Sequence, residues 1–96
     1  MGTDEILKLK RTEILRLAAQ HGIKNLRVFG SVARGEANPE SDVDFLVDVE
    51  SDRSYLDMGA FLMDMQDLLG RKVDLVTERA LHISIKKQVL QEAVPL

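Results

Sequence analysis

The chain has no cysteine. Disulfides and thiolate metal sites are therefore excluded. Histidine is scarce as well: only His21 and His82 are present, which argues against a zinc site built on paired imidazoles. No apolar run approaches the roughly 20 residues that a membrane span needs. The opening MGTDEILKLK lacks the apolar segment of a signal peptide. No membrane partner is expected, and the cytoplasm is the default compartment. Excess positive charge is also missing. The formal net charge is −3, so direct nucleic-acid binding is not expected. There is no repeat, low-complexity tract or linker.

What is present is an ordinary globular composition, 45% hydrophobic and 30% charged over 96 residues. One domain spanning residues 1–96 is expected. A chain of this size buries roughly 60–70% of its unfolded surface, enough for one modest core.

Hydrophobic spacing predicts a helix from Thr3 or Asp4 to about Gln20, with Leu7, Ile14, Leu17 and Ala18 on one face. His21-Gly22 reads as its stop. Leu26 to Phe29 is a short strand. Asn38-Pro39-Glu40-Ser41 is a turn, because proline fixes φ and asparagine favours turn initiation. Asp42 to Val49 is the clearest strand: Val43, Phe45, Val47 and Val49 alternate with Asp42, Asp44, Leu46 and Asp48. Ser54 caps a helix running to Leu69, with an apolar stripe at Met58, Phe61, Leu62, Met65, Leu68 and Leu69. Lys72 to Val76 is a third strand. Thr77 opens a last helical stretch from about Arg79 to Glu92, and Pro95 ends regular structure. The order is α-β-(short α)-β-α-β-α. It implies an α/β (α+β) fold: a small mixed sheet with helices on one face and the aspartate face open.

Asp42 and Asp44 pose the chemical question. Residues two apart in a strand point the same way, with Cα atoms about 6.6–6.8 Å apart. Adjacent carboxylates repel unless a proton or cation sits between them. An all-oxygen site suits Mg²⁺ or Mn²⁺. Asp74, in the apolar stretch KVDLV, has the same character. With the two strands adjacent, three carboxylates converge, which is the composition of a two-metal phosphoryl-transfer site with ions roughly 3.5–4 Å apart. For the Asp42/Asp44 pair alone, the base rate favours a solvated strand face. Asp48, which continues the alternation, reads that way.

The stretch upstream shifts that balance. Gly30-Ser31 follows an apolar strand and leads into Val-Ala-Arg, which can form a helical turn. Such a bend presents free N–H groups to an anion, glycine admits close approach, and Arg34 can pair with phosphate oxygens. A nucleoside triphosphate with Mg²⁺ needs both a phosphate cradle and a metal-binding pair. Two other motifs are excluded. Gly30 and Gly35 have P-loop spacing, but Glu36-Ala37 stands where Lys-Ser/Thr is required, and G-x-G-x-x-G is absent.

Gly-Ser, ten residues, then Asp-x-Asp, with a lone aspartate in a later apolar strand, resembles the nucleotidyltransferase superfamily of DNA polymerase β-like palm domains. The fuller string FGSVARGEANPESDVDFLV is similar to the minimal nucleotidyltransferases, antitoxins often encoded beside a HEPN-domain toxin. The resemblance covers essentially the whole chain. It implies that Gly30, Ser31 and Arg34 hold the triphosphate of ATP. It further implies that Asp42, Asp44 and Asp74 ligate two Mg²⁺ ions, with Asp74 assisting as base for the attacking hydroxyl. The implied reaction is transfer of AMP from ATP to a tyrosine hydroxyl of the partner toxin. Because only about 20 residues follow Asp74, the acceptor is expected on another chain. The rival readings are a non-catalytic antitoxin that neutralises by binding and a transferase acting on a small molecule.

Other residues have plain readings. Met58 and Met65 are core, and Met63 lies off the stripe. Tyr55 is a helix-start packing residue, His21 sits near the carbonyls of a helix end, and His82 is on the surface. Arg27 is exposed. Lys86, Lys87 and Arg79 are a solvated basic group.

Overall fold

The computed structural model describes every residue except Met1 and Pro39. The contribution of Pro39 to the turn before the second strand therefore lies outside the described residues. Around it, Asn38 closes the turn: its Oδ1 accepts from Glu40 N at 2.8 Å, and its carbonyl accepts from Ser41 N at 3.0 Å.

The first helical stretch is two helices, α1 (Thr3–Leu9) and α2 (Arg11–Gln20), divided at Lys10. Backbone bonds still link them, from Lys10 N to Ile6 O and from Ile14 N to Lys10 O. The cap expected of Thr3 or Asp4 is not made. Helix α1 starts after Gly2 with no side-chain cap, and Thr3 is buried. His21 ends α2 as expected, and Gly22 follows with φ +72°.

Strand β1 runs from Ile23 to Phe29, three residues earlier than its alternation suggests. Asn25 takes φ +51°, and the pairing slips between Lys24 and Arg27. A bulge of this kind resets the inward-outward alternation, so the first half of the strand is not legible as one. Then come α3 (Gly30–Ala33), β2 (Val43–Val49), α4 (Tyr55–Leu69), β3 (Val73–Val76) and α5 (Ile83–Glu92). Ser54 caps α4 in a full capping box with Asp57. Before α5, Thr77 caps a short 3-10 turn, Glu78–Ala80, and His82 caps the helix itself by accepting from Ser84 N. Pro95 does not end regular structure: Val94–Pro95 forms a two-residue strand, β4, beside β1. Proline is tolerated there because β4 is an edge strand with one side unpaired.

The sheet order is β3-β2-β1-β4. Strand β2 is antiparallel to β1 and parallel to β3, so the sheet is mixed. The crossover helix α4 supplies Phe61, Met65 and Leu69 to a core that also holds Leu7, Ile14, Ala18, Val28, Val43, Phe45, Val47 and Val73. Ile14, Val43, Phe45, Val47, Phe61 and Met65 are fully enclosed.

The opposite face is open only in part. Leu46, on the aspartate side of β2, is fully buried. Beside it across the strand pair, Arg27 is largely buried rather than exposed, with its side chain 14% accessible. It reaches Asp48 at 3.3 Å and Glu78 of the 3-10 turn at 3.7 Å. The 3-10 turn packs on β2, and α5 packs on α3. The uncovered part of the face lies at the other end of the strands, where Asp44 and Asp74 stand.

Candidate active site

Register brings the acids together. In the parallel pairing of β2 with β3, Asp44 is the direct partner of Asp74. In the antiparallel pairing of β1 with β2, Asp44 faces Phe29, the last residue before the Gly30–Ser31 bend. Directly opposed residues project from the same side of a sheet. Asp44 and Asp74 are therefore neighbours on one face, and the bend adjoins Asp44 on its other side.

The bend is held open for a physical reason. Gly30 has φ +74°, a conformation that side chains rarely adopt. A Cβ placed on Gly30 would run into Asp44 Oδ2 and stand 3.2 Å from its Cγ. The glycine thus brings backbone against carboxylate with nothing between. Helix α3 is one turn, closed by Arg34 N to Gly30 O at 3.1 Å and Glu36 N to Ser31 O at 2.8 Å. These bonds use the carbonyls of the turn. The first N–H groups of a helix have no acceptor inside it and are available to an anion.

Asp42 stands one residue before β2 begins and is exposed. Its charge nevertheless acts on Asp44. The half-buried Asp44 carboxyl titrates above its ordinary range. Burial is the main cause, followed by the charges of Asp74 and Asp42; Arg34 opposes the shift, and Glu92 adds to it. Three other acids therefore bear on Asp44. Among the described residues, no three carboxylate or imidazole groups already form a cage for a metal ion. Like-charged carboxylates with no cation between them repel. The donor set still fits a hard divalent cation: all oxygen, multiply negative, with the charge around Asp44 only partly offset by Arg34.

Arg34, expected at the phosphates, is in two ion pairs. Its Nε donates to Glu36 Oε2 at 3.0 Å and its Nη1 to Glu92 Oε1 at 2.6 Å. Glu92, 58 residues away on α5, was not foreseen as part of the site, and no local pattern marks it. Arg27 was likewise read as solvated. Asp48 is not simply solvated either: it accepts from Arg27 and from Asn25 Nδ2 at 3.0 Å. Tyr55 does not pack at the start of α4 and is 84% exposed. His21 ends α2 as expected, but its Nε2 also meets Asp64 Oδ2 at 2.7 Å. No helix is long and apolar enough to cross a membrane among the described residues.

Comparisons with known proteins agree with this geometry. Residues 10–96 match the family described as the nucleotidyltransferase domain. The chain is 40% identical over 91 residues to the protein adenylyltransferase MntA of Thermococcus cleftensis, covering 95% of this chain and 92% of that one. It is 36% identical over 89 residues to a Methanocaldococcus jannaschii protein named "Putative protein adenylyltransferase MJ0435", covering 93% and 95% of the two chains. A solved structure described as "Structure of putative minimal nucleotidyltransferase" superposes with a TM-score of 0.87 at 46% identity, covering 100% of this chain and 97% of that one. A toxin-antitoxin structure with AMP-PNP shares the fold, with a TM-score of 0.72 at 21% identity, covering 88% and 69%.

Proposed function

The chain belongs to the nucleotidyltransferase domain family, and from that premise we propose that it is a protein adenylyltransferase of the MntA type, acting in a toxin-antitoxin pair. It transfers AMP from ATP to a hydroxyl, that of a tyrosine, on a HEPN-type toxin. The observation that carries the reading is the meeting of the Gly30–Ser31 bend, Asp44 and Asp74 on one uncovered stretch of sheet. The 40% identity to a named protein adenylyltransferase supports the protein acceptor.

In this reading the backbone N–H groups at Gly30 and Ser31, with the Ser31 hydroxyl, hold the triphosphate by its terminal oxygens. Arg34 adds a charge-assisted contact. Asp42, Asp44 and Asp74 hold two Mg²⁺ ions, with Mn²⁺ as a substitute. When bound, these ions supply neutralisation of the phosphates and of the departing pyrophosphate. Asp74 accepts the proton of the acceptor hydroxyl. The hydroxyl oxygen bonds to the α-phosphorus as the bond to the pyrophosphate oxygen breaks. The products are an AMP ester of the acceptor and pyrophosphate. The protein's share is positioning and a preorganised field.

The test is direct. The protein is mixed with Mg²⁺, ATP labelled on its α-phosphate, and the protein encoded beside it. Label is expected on that neighbour and on no small molecule, and Asp42→Asn/Asp44→Asn should abolish it. Neutralisation of the neighbour by the double variant, without transferred label, would replace the enzyme with a binding antitoxin.

A further inference from the structure

We infer that Glu92 is a positioning residue for the transfer reaction: from the end of α5 it fixes the guanidinium of Arg34 beside the Gly30–Ser31 bend. The inference rests on the transferase reading above and adds to it a residue outside the motif.

Arg34 follows a single helical turn, which is too short to be stable by itself. Its side chain is long and loses much rotamer freedom when held in one geometry. Something beyond α3 must therefore hold it. Its two carboxylate partners differ in kind. Glu36 lies two residues away and its side chain is 64% exposed, so water screens that pair. Glu92 comes from another element, its side chain is only 13% exposed, and the contact is 2.6 Å. Helix α5 packs against α3, so the partner is itself anchored. A guanidinium is planar, and fixing Nε and Nη1 fixes the whole group. Among the described residues nothing binds its Nη2, which leaves donors for an anion.

Charge leads to the same conclusion from another direction. Glu92 places a carboxylate against Arg34, one helical turn from the bend, and the guanidinium covers its charge. A carboxylate beside a site for a polyanion repels that anion unless a cation covers it. Glu92 is therefore favourable only while Arg34 is present. A side chain that merely braced α5 would show no such dependence.

The experiment measures the dissociation constant of AMP-PNP with Mg²⁺ by calorimetry, so no acceptor is needed. It compares the unmodified protein, Glu92→Gln, Arg34→Ala and the double variant, with melting temperatures alongside. Glu92→Gln is expected to weaken binding roughly 5–10-fold, a typical coupling between directly paired residues. In the Arg34→Ala background the same change should leave binding unchanged or tighten it. Equal weakening in both backgrounds, no weakening in the native one, or tightening in the native one would each overturn the inference. If Glu92→Gln does not fold, Glu92→Asp serves instead: it keeps the charge, shortens the reach, and should weaken binding only where Arg34 is present. An unmodified protein that binds no AMP-PNP overturns the transferase reading, and the inference with it. Binding without the predicted dependence overturns the inference alone.

Discussion

The carboxylate of Asp44 occupies the space that a side chain on Gly30 would need. One contact therefore joins the Gly30–Ser31 bend to the acids proposed to hold metal. Gly30→Ala meets two penalties, the positive φ and the collision with Asp44. We expect a loss of about 1–3 kcal/mol, the cost of one residue in a disfavoured backbone region, read from urea denaturation. AMP-PNP binding should weaken as well, because relieving the collision parts the bend from the acid. Native stability with native binding would show that the contact is dispensable.

Asp44→Asn should abolish transfer while leaving the fold intact or more stable. The sign follows from linkage. Asp44 titrates above its ordinary value of 3.8 in the folded protein. The folded state then binds the proton more tightly than the unfolded state. Stability falls as pH rises from about that ordinary value through the folded one, and the loss persists at neutral pH. Asparagine removes this burden. The variant's melting temperature should equal or exceed that of the native protein at pH 7, and the gap should close as pH falls below 4. A lower melting temperature at pH 7 would mean that the carboxylate is structural.

A divalent cation should act through the same group. Titration with Mg²⁺ in the absence of nucleotide should raise the melting temperature of the native protein, because a ligand that binds only the folded state stabilises it. The rise should be absent in Asp44→Asn and present in Ser54→Ala. An equal rise in all three would indicate general ionic screening.

Ser54→Ala separates stability from chemistry. Ser54 caps α4 through Leu56 N, and the Asp57 side chain reaches back to Ser54 N at 2.9 Å. Loss of such a cap costs about 0.5–2 kcal/mol. We expect that loss in chemical denaturation, with kcat and KM for ATP unchanged at temperatures where the variant is folded. A fall in kcat would tie α4 to the reaction.

Local pattern in the chain carried most of this architecture. The inward Val43, Phe45 and Val47 of β2 and the stripe of α4 with its Ser54 cap each lie within a few residues and formed as read, while Asp42, read as the first residue of the strand, stands one residue before it. What could not be read depends on distant partners. The bulge at Asn25 hid half of β1. Arg27 looks exposed by alternation, yet its ion pairs with Asp48 and Glu78 hold it against the sheet beside its register partner Leu46. Glu92 reaches the site only because α5 packs on α3. The pairing of Asp44 with Asp74 was legible as a condition, that their strands be adjacent, and only the sheet order meets it.

Asp74 and Asp48 offer the sharpest contrast, because both are aspartates within apolar strands. Asp74 is exposed and is the register partner of Asp44. Asp48 is tied to Arg27 and Asn25 at the covered end of β2. Asp74→Asn removes the proposed proton acceptor and proposed metal ligand while breaking no hydrogen bond or ion pair seen among the described residues, so transfer should fall by on the order of 10²–10⁴-fold, the range for a general base. Stability should hardly change. Asp48→Asn should do the reverse. It leaves Arg27 ion-paired with Glu78 alone, lowers stability by about 0.2–1 kcal/mol as for a partly exposed ion pair, and leaves kcat near native. Single-turnover transfer and thermal melting on the two variants decide it. Comparable activity in both would mean that strand alternation alone placed Asp74, and that the third acid of the site lies elsewhere.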